Sequence, residues 1–234
     1  MSIAQASRRA SARLKKASLI AEHKFFVLFL YLLLTLVLYP YVENRHVVYL
    51  VFRVVSAAGM LFAIYTVNLR RTVLFCALLL SVPAVLHRII EFRADAGALS
   101  IFGIVLSFVF DTFIVVAIFR RVILEAQPTS ETILGALCIY LLVGFSFAGI
   151  YGMVATLQPK AFYLDPLVNT HSIPRRFDMV YYSFGTMTSV GASGITPVSD
   201  VARSLTAIEA TIGVLYLAVL IAKLVSGYRP PSAR

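Results

Sequence analysis

Apolar residues in this chain come in long blocks separated by short polar breaks. Six blocks, at 25–42, 47–67, 72–90, 99–119, 132–154 and 201–225, are apolar enough and near enough to 20 residues to cross a bilayer core of about 30 Å as helices. The first four are joined by short connections at 43–46, 68–71 and 91–98, too short to hold a further helix and loop. The fifth and sixth are separated by about 46 residues whose character changes midway. Ala155 to Arg176 carries Pro159, Pro166 and Pro174 and reads as an irregular turret. Phe177 to Thr188 has no proline and reads as a short helix dipping into the membrane, followed by the polar stretch Thr186-Met187-Thr188-Ser189-Val190-Gly191-Ala192-Ser193-Gly194-Ile195-Thr196-Pro197. Ser199 or Asp200 then stands ready to cap the sixth span. The pattern predicts an all-α membrane protein: six transmembrane helices plus a re-entrant helix (177–188) and its loop (189–194).

Composition agrees with a membrane chain. The sequence is 60% hydrophobic and 14% charged, far from a soluble globular balance. A net charge of +10 would point to nucleic acid in a soluble protein. Here the basic residues lie mostly between or before spans, so they read as a topology signal and imply no nucleic-acid partner. With the N-terminus inside, the cytoplasmic set is Arg8, Arg9, Arg13, Lys15, Lys16, Lys24, Arg70, Arg71, Arg120, Arg121, Lys223, Arg229 and Arg234. The outer set is Arg45, Arg88, Arg93, Lys160, Arg175, Arg176 and Arg203, so thirteen face seven. Positive loops stay inside, which puts both termini in the cytoplasm of a multi-pass protein of the cell (inner) membrane. Residues 1–24 are rich in Ala, Ser, Arg and Lys and read as a basic cytoplasmic tail against anionic headgroups, with an organellar transit peptide as the other reading. Residues 226–234 form a second, short cytoplasmic tail.

Three charged residues fall well inside spans, away from their ends, where charge is costly and marks function or a partner. Arg53 lies in the second block and Asp111 near the middle of the fourth; their opposite signs suggest a pair within the four-helix unit 25–119. The other reading has Arg53 snorkelling to the interface and Asp111 neutral or hydrated. Glu209 lies in the sixth block. A voltage sensor needs basic residues at every third position, and Leu99 to Phe119 has none, so the four-helix unit reads as a scaffold or a sensor of something else. Cys76 and Cys138 fall inside spans as small packing residues. The histidines (His23, His46, His87, His171) show no metal-ligand spacing, and no nucleophile–base set can be assembled. The chain reads as neither an enzyme nor a cofactor protein.

Irregular backbone at membrane depth is tolerated only where protein covers it or where it lines a watery pathway. Ion filters exploit this, replacing an ion's hydration shell with rings of backbone carbonyls. Tyr182-Ser183-Phe184-Gly185-Thr186-Met187-Thr188-Ser189-Val190-Gly191, then Ile195-Thr196-Pro197 and the last span, resemble the pore domain of tetrameric potassium channels. They are most similar to small bacterial proteins with the two-helix ion-channel domain. The resemblance runs from about Leu134 to Val225, within a unit expected at 132–225. It implies a homotetramer in the bilayer, each chain supplying one pore loop, and monovalent cations, K+ or Na+, as the permeant species.

In that family the filter reads Thr-Val-Gly-Tyr-Gly-Asp; here the matching residues are Ser189-Val190-Gly191-Ala192-Ser193-Gly194. The resemblance assigns Thr188 and Ser189 the inner hydroxyl and carbonyl ligands, and Val190 and Gly191 the middle carbonyls. Gly191 can adopt the positive φ that turns alternate carbonyls inward. The resemblance runs the permeant-cation filter on through Ala192 and Ser193, but this outer half departs from the family pattern. Ala192 lacks the family's packing and tethering aromatic, Ser193 replaces a glycine, and Gly194 replaces an anchoring aspartate. A serine at positive φ costs about 1–2 kcal/mol; a one-residue shift that gives Gly194 the left-handed conformation would avoid this. Reduced K+ selectivity is the expected consequence, and a non-conducting scaffold or partner subunit is the alternative. Gly213 stands where the family places an inner-helix hinge, though a small residue there also permits close helix packing. Val214, Leu217, Ile221 and Val225 share a face that would line an apolar gate, or that simply faces lipid or packs in the core. For Glu209 the resemblance implies a position behind the filter, bonded to Tyr182, Ser183 or Thr186, with a proton-linked gate as the alternative.

Overall fold

The computed structural model describes residues 24–42, 98–124 and 130–227. The expected spans at 47–67 and 72–90, Arg53, Cys76 and nearly all of both tails lie outside them. The described elements are helices α1 (Lys24–Val42), α2 (Ala98–Leu124), α3 (Ser130–Leu157), strand β1 (Phe162–Leu164), α4 (Arg176–Met187), strand β2 (Ile195–Pro197) and α5 (Asp200–Gly227). Two of these helices, α3 and α5, are long and apolar enough to cross a membrane. The chain is therefore mostly helical, with one departure from the all-α expectation. β1 and β2 pair antiparallel in the register Phe162 with Pro197, Tyr163 with Thr196 and Leu164 with Ile195.

Lipid tails are as apolar as leucine, so helices in a bilayer associate through close packing and hydrogen bonds rather than by escaping water. α3 is the hub, packing against α1, α2, α4 and α5. Toward one end, Phe25, Leu28 and Leu32 of α1 meet Phe110, Ile114, Ile118 and Val122 of α2 and Ala136, Cys138, Ile139 and Leu142 of α3. The α2 residues recur every fourth position, one stripe of a helix. Gly135 admits the approach, since a Cβ there would lie 3.1 Å from Val122. The Tyr216 hydroxyl of α5 donates to the Ala136 carbonyl at 2.5 Å, and Lys223 donates to the Val122 carbonyl near the end of α2.

Toward the other end, Tyr151, Phe162 and Tyr182 form a triangle of edge-on rings with centroids 5.0–5.7 Å apart, surrounded by Val154, Leu164, Met179, Ile195 and Ala202. Edge-to-face contacts of this kind suit the ring quadrupoles. This second cluster joins α3, the turret strand, α4 and the start of α5, so it fixes the short helix α4 against its surroundings. α5 begins with Ser199 as cap, its hydroxyl accepting the Ala202 amide at 3.2 Å. α4 begins with half a capping box: the Asp178 carboxylate accepts the Arg175 amide at 2.7 Å and lies 2.6 Å from His171 Nε2.

Substituting Asp178→Ala removes that acceptor and should lower thermal stability of the purified protein by about 1 kcal/mol. Asp178→Asn, which keeps an oxygen, should lose less. Equal melting of the Ala variant and the parent in detergent would remove the cap from the account of α4.

Candidate functional site

α4 spans Arg176–Met187, one residue earlier at each end than the sequence predicts, and the chain from Thr188 to Gly194 follows without regular structure. Every amide and carbonyl in such a stretch needs a partner or a ligand. The amides find theirs on α4 at every second residue. Ser189 N–H donates to the Thr186 carbonyl at 3.0 Å, Gly191 N–H to the Gly185 carbonyl at 2.9 Å, and Ser193 N–H to the Tyr181 hydroxyl at 3.2 Å. Gly185 makes room for this contact, since a Cβ there would lie 2.8 Å from the Gly191 carbonyl oxygen.

The backbone angles explain the alternation. Ser189 has φ 60° and Gly191 φ 84°, two left-handed residues separated by one that is not. Alternating hands turns amides to one side and carbonyls to the other. Among the described residues, no hydrogen bond is donated to the main-chain carbonyls of Thr188, Ser189, Val190 or Gly191. Thr188, Ser189, Val190 and Gly191 are all exposed, Val190 by 84%. The Thr188 hydroxyl gives its proton back to the Phe184 carbonyl at 2.7 Å, which leaves its oxygen as an acceptor. The result is an exposed strip of unpaired oxygens.

The strip stops at residue 191. The Ala192 carbonyl accepts Ile195 N–H in a long contact of 3.3 Å. The Gly194 carbonyl accepts two donors, Asp165 N–H at 2.9 Å and Asn169 Nδ2 at 2.8 Å. A carbonyl oxygen has two lone pairs, and two donors engage this one. The left-handed outer residue is Gly194, at φ 80°, and not Ser193, so the one-residue shift is the arrangement adopted. The serine strain falls instead on Ser189, at a cost of about 1–2 kcal/mol. Sequence reading missed that residue because a serine mid-loop carries no signal of its hand.

Behind the loop, Glu209 of α5 is fully buried. Its carboxyl group meets the Ser183 hydroxyl at 2.5 Å and the Tyr151 hydroxyl at 2.6 Å, joining α5 to α4 and α3. Ser183 was one of three expected contacts; Tyr151 was not foreseen. Tyr182 and Thr206 bond at 2.7 Å beside them. Gly213 is buried, and a Cβ there would lie 2.3 Å from the Met187 carbonyl oxygen, which also accepts the Tyr140 hydroxyl at 3.2 Å. The inner helix therefore touches the end of α4 backbone to backbone, and the packing account of Gly213 rests on that contact. Leu217 and Ile221, with Val214 and Val225, lie uncovered in the single chain. Asp111 sits part-buried on α2.

Residues 139–227 match the family model described as an ion channel, the two-helix domain found in potassium-channel pores. The matched segment contains the C-terminal part of α3, the turret, α4, the loop and α5. No curated protein and no solved structure matches the chain. The domain match and the two long apolar helices support a channel-like, ion-conducting membrane protein.

Gly213→Ala should destabilise the protein by about 1–3 kcal/mol, because backbone rather than a flexible side chain stands in the way. Thermal melting in detergent checks this, and a melt equal to the parent's would contradict the packing account. Glu209→Ala, which removes the acceptor of two hydroxyls, should cost about 1–3 kcal/mol. Glu209→Gln keeps polar atoms for both and should cost less in the same assay; the reverse order would refute the linking role.

Proposed function

We propose that this chain is one subunit of a homotetrameric pore that conducts monovalent cations, K+ and Na+, with weak preference for K+. The observation that carries the reading is the strip of carbonyls from Thr188 to Gly191, unpaired and exposed while the intervening amides are satisfied by α4. Oxygens without donors at membrane depth need either a cation or water. One chain offers the strip on one side only, and a ring of copies would surround an ion with it. The apolar stretch of α5 is only 11% buried within the chain, against 50% for α3, which leaves a long surface for neighbouring copies and lipid. Leu217 and Ile221, on that surface, would then line the inner part of the pathway, with Gly213 as the point about which α5 is held.

The partly negative C-terminal end of α4 leads into the loop, a favourable placement for a cation. Weak K+ preference follows from the short strip. Selectivity depends on the number of aligned carbonyls or on how firmly they are held. The Ala192 and Gly194 oxygens are engaged within the chain, so fewer rings remain than in the family's full filter. The same engagement favours a second reading, a non-conducting partner subunit whose outer loop has become structural.

Purified protein in liposomes separates the two. Flux of both K+ and Na+ is expected, with a bi-ionic reversal potential corresponding to discrimination well below a hundredfold, about 2.7 kcal/mol. Discrimination above that value would overturn weak selectivity. No flux of either ion would overturn conduction and leave the partner-subunit reading.

A further inference from the structure

The turret has a role that composition gives no hint of. Asp165 to Asn169 forms a tight turn: the Asp165 carboxylate accepts Leu167 N–H at 2.9 Å, and the Asp165 carbonyl accepts the amides of Val168 and Asn169 at 3.1 and 2.9 Å. The Asn169 side-chain amide spans back to the Asp165 carbonyl at 3.1 Å and across 25 residues to the Gly194 carbonyl at 2.8 Å. Asp165 N–H reaches the same carbonyl at 2.9 Å. The turn also presses on Gly194 from the side. A Cβ at that residue would lie 2.9 Å from Asn169 Nδ2 and 3.0 Å from Val168 Cβ, so both its left-handed φ and its lack of a side chain are required. Immediately beyond, the β1–β2 pairing fastens Leu164 to Ile195.

We propose that this turn is the outer latch of the pore loop and that Asn169 is its positioning residue. The proposal rests on the pore reading above and adds what holds the loop where Ala192 and Gly194 stand in place of the family's tethering aromatic and aspartate. Asn169 does not touch the permeant ion. It shares the Gly194 carbonyl with Asp165 N–H and so anchors the loop just beyond the ion-facing strip. With the latch broken, the outer carbonyls gain freedom, and the geometry that separates K+ from Na+ slackens with them.

The test uses the full-length protein in lipid nanodiscs and liposomes, comparing the parent with Asn169→Ala and Asn169→Asp. The Asp variant keeps the shape but puts an acceptor against the Gly194 carbonyl. The expected result is faster amide hydrogen exchange over residues 189–198 in both variants, with global melting close to the parent's. The K+/Na+ permeability ratio should also move toward unity, by up to about fivefold, the worth of one hydrogen bond. Unchanged exchange in this segment overturns the latch, whether or not the parent conducts. Faster exchange with an unchanged ratio overturns its part in selectivity. If the parent passes neither ion, the pore reading fails by itself, and the exchange measurement alone decides the latch. Should Asn169→Ala fail to fold, the Asp variant carries both measurements.

Discussion

A loop without regular structure must account for each of its amides and carbonyls, and in this chain that accounting runs through one contact surface, the face of α4 against residues 188–193. Three alternate amides donate to that face. Because they do, the carbonyls between Thr188 and Gly191 point away from every donor in the described chain. Much of the surrounding packing serves this arrangement. Gly185 lets the loop lie close, Gly213 lets α5 touch the last carbonyl of α4, and the aromatic triangle with Glu209 fixes α4 to α3 and α5.

The two halves of the loop are held by different means. The inner half is held from behind, by α4, and keeps its oxygens open. The outer half is held from above, by a turret turn and a two-stranded pairing, and gives up the Gly194 oxygen in exchange. A potassium-channel-like filter anchors its outer end through side chains that Ala192 and Gly194 cannot supply. Here Asp165 and Asn169, about 25 residues upstream, hold the Gly194 carbonyl instead. In the proposed pore, both the number of ion-facing carbonyls and how firmly they are held would bear on ion preference.

Charge at depth follows the same economy. A carboxyl group inside a bilayer needs partners, and Glu209 has two hydroxyls from two different helices. That makes it a tie between elements that apolar contact alone would hold weakly, since lipid competes equally well for apolar surface. Lys223 plays a related part nearer the end of α5, where it donates to the Val122 carbonyl near the end of α2.

Sequence alone determined the apolar blocks, the short helix before the loop to within one residue, and the polar loop itself. These follow from local rules, block length against bilayer thickness and proline as a boundary, whereas the place of Glu209 behind the loop was what the family resemblance implied. It also narrowed the left-handed outer residue to Ser193 or Gly194. Tertiary structure decided between them, because the turret turn leaves space at residue 194 for a glycine only. It also decided what no local rule reaches: the β1–β2 pairing, the Tyr151 contact with Glu209, the strain placed on Ser189, and the capture of the Gly194 carbonyl by Asn169. Each joins residues far apart in sequence or depends on which way a peptide plane turns. The order of apolar and polar residues carries neither kind of information until the chain has packed.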